Sequence, residues 1–390
     1  MMRILYDFQA FAMQKFGGIS RYFYELLGNW EKSGQVQWKV AIKYSQNEYL
    51  ENLNPGGMSI KNLPDFYRDF LGRRDFRGKW KLYQLKNFLF PPPDCDALNK
   101  EFAIKCIQAG DYDLFHPTYY DDYFLECIGN KPFVVDVHDM VTEVYPEYFE
   151  LAEQTTVQKR RLMEKATGII AVSEFTRREL IEIFGTEERK ITVIPRGDSC
   201  LCGTDGIEPD AQLPLKYLLF VGARAKYKNF YFFIRGVKNF LAKDPELRII
   251  CTGSAFTAGE IAFFRTLGIE NQIMHYAVND SQLSTLYKNA LALVFPSLYE
   301  GFGLPILEAF SCGCPVILSR AGAFPEVGGD AAVYFEPKSV ASLREAVSGV
   351  IYNQQNRNEL IERGRRRLKQ FSWEKTAGET RLFYEKLAGK

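Results

Sequence analysis

Residues 295–325 read FPSLYEGFGLPILEAFSCGCPVILSRAGAFP. The apolar run 290–295 before it predicts a strand that ends at Pro296. A glycine turn, Gly301-Phe302-Gly303, follows. A helix then starts near Leu304 or Pro305 and runs to about Cys312, because proline is tolerated in a first helical turn, where its missing N–H has no partner to lose. Gly313 and Pro315 stop the helix, and Val316-Ile317-Leu318 predicts the next strand. Strand, glycine turn and helix in that order build a doubly wound parallel sheet, whose ligands bind at such turns.

The turn presents backbone N–H groups at a helix N-terminus, where the helix dipole also favours an anion. Glu300 and Glu308 flank it. Eight helical steps would place them roughly 12 Å apart at 1.5 Å per residue. That separation suits gripping two parts of one extended ligand. It does not suit a glycosidase pair, whose carboxyls sit about 5 to 9.5 Å apart. Either glutamate alone reads equally well as a turn cap or a solvated helix residue. With the glycines between them, a ligand-gripping role is the better reading.

Glu300, seven residues and Glu308, with GFGLP between, resemble the nucleotide-sugar motif of retaining GT-B glycosyltransferases, the "glycosyl transferases group 1" family (family 4). The resemblance implies that Glu300 faces the donor sugar hydroxyls and Glu308 the ribose. It also implies that the backbone amides of Gly301, Phe302, Gly303 and Leu304 meet sugar and phosphate.

The same resemblance extends outward. Gly222-Ala223-Arg224-Ala225-Lys226-Tyr227-Lys228-Asn229 is similar to the family's G-x-R-x-x-x-K-N segment. A leaving diphosphate develops negative charge that Arg224 and Lys228 can hold without a metal; Lys226 has no counterpart. His138-Asp139, at the end of the apolar run 133–137, matches the family's HD pair, whose histidine reaches the donor sugar. Gly17 and Gly18 stand where the family's glycine loop approaches the donor phosphates. Val278 stands where backbone meets the nucleobase. The implied catalytic set is His138, Glu300, Arg224 and Lys228. One departure is plain: the family usually continues Pro-Asn-Gly-Val, and here Pro195 is followed by Arg196-Gly197-Asp198, which leaves the role of Arg196 open. Ser173 opens a SEFT cap like the family's, and capping alone explains it.

Composition bounds the rest. At 390 residues with 46% apolar content, the chain can fill two or three domain cores, which excludes a disordered protein. A net charge of +1 argues against a nucleic-acid-binding surface. Eight cysteines form no C-x-x-C pair, and only three histidines accompany them, so a zinc site is not expected. No signal peptide and no 18-residue apolar run are apparent. The expectation is a cytoplasmic chain with reduced thiols, at the inner face of a membrane if the next segment serves there.

Residues 65–93 carry seven basic side chains against three acidic ones, net +4, interleaved with aromatics. This suits an interfacial membrane segment, an acceptor site for a phosphate-bearing glycan or lipid, or a solvated helical hairpin with a buried aromatic face. Residues 199–214 are polar and rich in Gly, Asp and Pro, and read as a linker.

Strand–helix alternation occurs twice around that linker, predicting two α/β domains with parallel sheets and a cleft between. The resemblance makes this the GT-B fold of two Rossmann-like domains. The acceptor side would be 1–198, the donor domain 215–372, and the helix 373–390 would pack back on the first. It implies a retaining, metal-independent transferase with no cofactor beyond the nucleotide diphosphate sugar. That enzyme would move a hexose to a glycan or lipid-linked oligosaccharide in surface polysaccharide synthesis. Two rivals stand beside it: a non-catalytic sugar-nucleotide-binding partner of a glycan assembly complex, and another GT-B enzyme such as a nucleotide-sugar epimerase.

Overall fold

The computed structural model describes residues 1–13, 15, 17–50, 53, 61–62, 70–71, 76, 78–90, 93–198, 213–224 and 226–389. Residues 199–212 of the expected linker and much of 65–93, including Arg73 and Arg74, lie outside them. The chain divides into two compact units. The first is Met1–Asp136, Gln158–Ile169 and Thr380–Lys390; the second is Val137–Val157 and Ile170–Glu379.

In the first unit, Met2–Asp7 is the middle strand of a parallel sheet between Val36–Ala41 and Leu114–His116. It is nearly all apolar because both faces are covered. The helix Gly18–Ser33 buries Tyr22, Phe23, Leu26, Leu27 and Trp30 on one face and ends at Gly34, whose φ is 63°. A five-residue helix, Gln9–Met13, precedes it; it is too short to show a period in the sequence. Tyr384, from the C-terminal helix, is buried with its hydroxyl 2.5 Å from His116 Nδ1 and 3.2 Å from the Tyr6 hydroxyl. Within 65–93, Lys79–Leu89 is a helix. It leaves Trp80, Leu82, Leu85, Phe88 and Leu89, with Phe90 after it, exposed. The described part of this segment therefore does not show the buried aromatic face of the hairpin alternative.

A further sheet orders Val134–Val137, Gly168–Ala171 and Ile191–Val193.

The second unit is built on six parallel strands. Their order is Ile273–His275, Arg248–Cys251, Tyr217–Phe220, Ala292–Phe295, Val316–Ser319, Ala332–Phe335. Successive side chains point to opposite faces of a strand. Leu218 and Phe220 accordingly join one core, with the helices Phe230–Lys243 and Val340–Ile351. Tyr217 and Leu219 join the other, with Asp280–Asn289 and Leu304–Ser311. The chain starts in the middle, winds outward to one edge, then returns and winds to the other. The reversal falls between Tyr217–Phe220 and Ala292–Phe295. Open α/β sheets bind ligands beyond the carboxyl ends of the strands at such a reversal. The two loops there are 221–229 and 296–303.

Cys95, Cys106, Cys127, Cys251 and Cys314 are free, and Cys312 is disulfide-bonded. Among the described residues no helix is long and apolar enough to cross a membrane.

Candidate functional site

Both motif loops emerge at the reversal of the second unit's sheet. After Phe295 the chain turns through Gly303, whose φ of 103° is left-handed and disfavours a side chain. Gly303 caps the helix Leu304–Ser311, with Pro305 in the first turn as expected. Gly301 is glycine for space rather than torsion. A Cβ there would lie 2.0 Å from the carbonyl oxygen of His138. The Ser173 hydroxyl donates to the Gly301 carbonyl at 2.7 Å while accepting from the Thr176 amide at 3.0 Å. Glu326 accepts from the amides of Glu174 and Phe175 at 2.8 and 3.1 Å. The turn is thus tied through Ser173 to the segment that follows the strand Gly168–Ala171.

Lys228 Nζ lies 2.5 Å from Glu300 Oε1, with side chains 18% and 15% exposed. The Ser297 hydroxyl donates to the same oxygen at 2.7 Å. Burial opposes the charge on Lys228. Glu300 and Tyr227 outweigh it and hold the ammonium above its ordinary value. Glu308 is buried rather than solvated, and accepts from the Tyr287 hydroxyl at 2.9 Å. Val278 is half-buried ahead of the helix Asp280–Asn289.

Arg224 sits on the same loop as Lys228 but is otherwise occupied. Its Nε donates to Glu260 at 2.5 Å, and its Nη atoms reach the carbonyls of Thr252, Ser254 and Ala255. Its guanidinium lies 4.9 Å from the Phe256 ring centre. Burial would raise the Glu260 carboxyl, but Arg224 and Thr257 pull it below its ordinary value. Glu260 escaped the sequence reading, although Thr257-x-x-Glu260 is a capping-box signature and forms one here.

Val137–Val157 belongs to the second unit, so His138 and Glu300 are neighbours within one body. His138 Nδ1 lies 2.6 Å from Arg196 Nη2, and both residues are buried. Tyr299 donates to Glu179 and accepts from the Met140 amide at 2.9 Å. Burial, with Asp139, Glu182 and Glu143 adding repulsion, pushes the Glu179 carboxyl up to about 7. Gly17 and Gly18 stand in the first unit at the start of the helix Gly18–Ser33, and the Gly17 carbonyl accepts from the Ser20 hydroxyl.

The family model for "Glycosyl transferases group 1" matches residues 208–367, and that for "Glycosyltransferase Family 4" matches 16–197. O-antigen chain mannosyltransferase B of Escherichia coli is 30% identical over 298 residues, covering 71% of this chain and 75% of that protein. The sucrose-phosphate synthase of Thermosynechococcus elongatus superposes with a TM-score of 0.72 at 18% identity, over 99% of both chains. HepE of Anabaena, in complex with UDP, does so with a TM-score of 0.67 at 16% identity, over the whole of both. The structural likenesses carry the GT-B fold, and with the sequence matches they make this chain a member of the glycosyl transferases group 1 family.

Proposed function

We propose that the chain transfers a hexosyl group from a nucleotide diphosphate sugar to a hydroxyl of a glycan or lipid-linked oligosaccharide, with retention and without a metal. One observation carries this most. The Lys228–Glu300 pair stands at the sheet reversal, and Glu308 is buried on the helix that follows. An incoming diphosphate takes Lys228 as its counter-charge, which frees Glu300 for the sugar hydroxyls. The amides from Gly301 to Leu304 add the positive end of a helix. Arg224 joins the diphosphate by exchanging Glu260 for it. The acceptor oxygen bonds to the sugar's anomeric carbon as the bond to the diphosphate oxygen breaks, on the same face, and the leaving phosphate takes the acceptor's proton.

The donor belongs to the second half of the chain, where Arg224, Lys228, Val278, Glu300 and Glu308 lie. The acceptor belongs to the first half. Mannose is the first sugar to try, since the Escherichia coli relative bears a mannosyltransferase name, and a UDP-bound neighbour supports a nucleotide donor. The exposed apolar side chains of Lys79–Leu89, with Lys81 and Lys86 between them, suit contact with an anionic bilayer at its cytoplasmic face.

Melting curves with a panel of nucleotide sugars, on wild type and Glu308→Ala in parallel, test the reading. A ligand that binds only the folded state adds about 2.7 kcal/mol at a hundred times its Kd. One donor should shift wild type and not the variant. No shift with any donor would move the non-catalytic reading ahead. Product anomericity by NMR, and turnover in EDTA, then decide retention and metal independence.

A further inference from the structure

Arg196 departs from the asparagine usual in the family, and the structure gives it a partner, His138. We propose that Arg196 is a positioning residue that fixes His138 as the neutral imidazole protonated on Nε2. In that form the histidine can only give a hydrogen bond, to an oxygen of the donor sugar.

The argument is a matter of donors and acceptors. A guanidinium carries five N–H donors and no acceptor, and does not lose its proton. Arg196 Nη2 lies 2.6 Å from His138 Nδ1, so Nδ1 must accept with its lone pair. The one proton of a neutral imidazole then sits on Nε2. A second proton on Nδ1 would set two N–H groups against each other and place a cation beside a cation. Both side chains are buried, 7% and 8% exposed, so water does not relieve that conflict cheaply. His138 leaves the strand Val134–Val137, and Arg196 follows the strand Ile191–Val193. Two strand ends therefore hold the pair.

The surroundings do not reverse this. Asp139 is next in the chain and its carboxylate accepts from the Val141 amide. Across the Gly301 turn stand Lys228 and Glu300, already paired. Tyr299 leans on Glu179 and the Met140 amide. The guanidinium stands at hydrogen-bonding distance from Nδ1. A histidine locked this way is not a general base. That agrees with a transfer in which the leaving phosphate takes the acceptor proton, and the sugar contact rests on the function proposed above; the tautomer does not.

The experiment is long-range 15N–1H NMR of imidazole nitrogens in the full chain. Only three histidines contribute, and His138→Gln identifies the signal. Wild-type His138 should show a bare Nδ1 and a protonated Nε2. The pattern should persist one unit below the ordinary histidine midpoint of roughly 6.5. In Arg196→Met the nitrogens should average or become doubly protonated by that pH, while Arg196→Lys, also a pure donor, should restore the wild-type pattern. Once a donor is in hand, Arg196→Met should lose roughly tenfold or more in kcat/KM and gain an acidic limb in its pH profile. A protonated Nδ1 in wild type overturns the proposal whatever the activity. So does an Arg196→Met protein that loses stability or turnover with the His138 signals unchanged, which would make the arginine merely structural.

Discussion

Gly301 shows how tightly one position is specified. A methyl group there meets the His138 backbone oxygen at 2.0 Å, and backbone cannot swing aside as a long side chain can. Gly301→Ala should lower stability by about 1–3 kcal/mol and weaken donor binding, read as a fall in melting temperature and in the nucleotide-sugar shift; an unperturbed variant would show that the turn yields freely. Glu179 offers a test by pH. Its carboxyl is raised to about 7, against about 4.3 unfolded. Between those values the folded chain holds more proton than the unfolded one, so stability falls as pH rises through the window. Glu179→Gln should melt higher than wild type at pH 8, by roughly 1 kcal/mol after allowing for its partial exposure, and near wild type at pH 4. Equal melting at both pH values would sink this. The family pattern supplied Lys228 and Glu300 as separate ligand contacts, and their pairing is seen only in the structure. The Arg224–Glu260 pair was not legible either. Its two ends are 36 residues apart, and the capping box that marks Glu260 says nothing of which cation comes to it.

Elements with marked ends were the most legible. Ser173 and Gly185 bracket Glu174–Phe184. The helix Gly18–Ser33 stops at the left-handed Gly34, past the point where its apolar stripe fades. The helix Gln9–Met13 went unseen. What holds it is local capping and a long-range bond, the Ala10 amide to the Thr118 hydroxyl at 2.9 Å. The helix Lys79–Leu89 has an exposed apolar set that the sequence could not assign to surface or core. Trp80→Ser with Phe88→Ser should leave the melting temperature within about 0.5 kcal/mol of wild type and reduce sedimentation with anionic vesicles severalfold. Unchanged vesicle binding would remove the membrane assignment from this helix.

At the scale of the molecule, strand–helix alternation made parallel sheets legible, since parallel neighbours need crossovers. The order of six strands was not readable, because every order consistent with short right-handed crossovers shares one sequence pattern. His116 supplies a global test. Buried beside Tyr384 and 3.5 Å from Asp136, its imidazole is pulled by burial down to about 3. An unfolded histidine takes a proton near 6.5. Between those values the unfolded chain holds the extra proton, so stability drops as pH falls. Urea midpoints at pH 7 and pH 4 should therefore separate more for wild type than for His116→Gln. Equal separations would mean that other groups govern acid unfolding.

The central strand of the six has a cost during synthesis. Tyr217–Phe220 pairs on one side with Arg248–Cys251, which follows soon, and on the other with Ala292–Phe295. About 70 residues lie between Phe220 and Ala292. At about 5 to 20 residues per second, the ribosome needs roughly 4 to 14 s to supply the second partner. Through that interval this fully buried strand presents an open edge. A nascent chain in this state is a template for pairing with its neighbours on a polysome, so yield in a cell should depend on elongation rate and on chaperones that shield the half-built sheet.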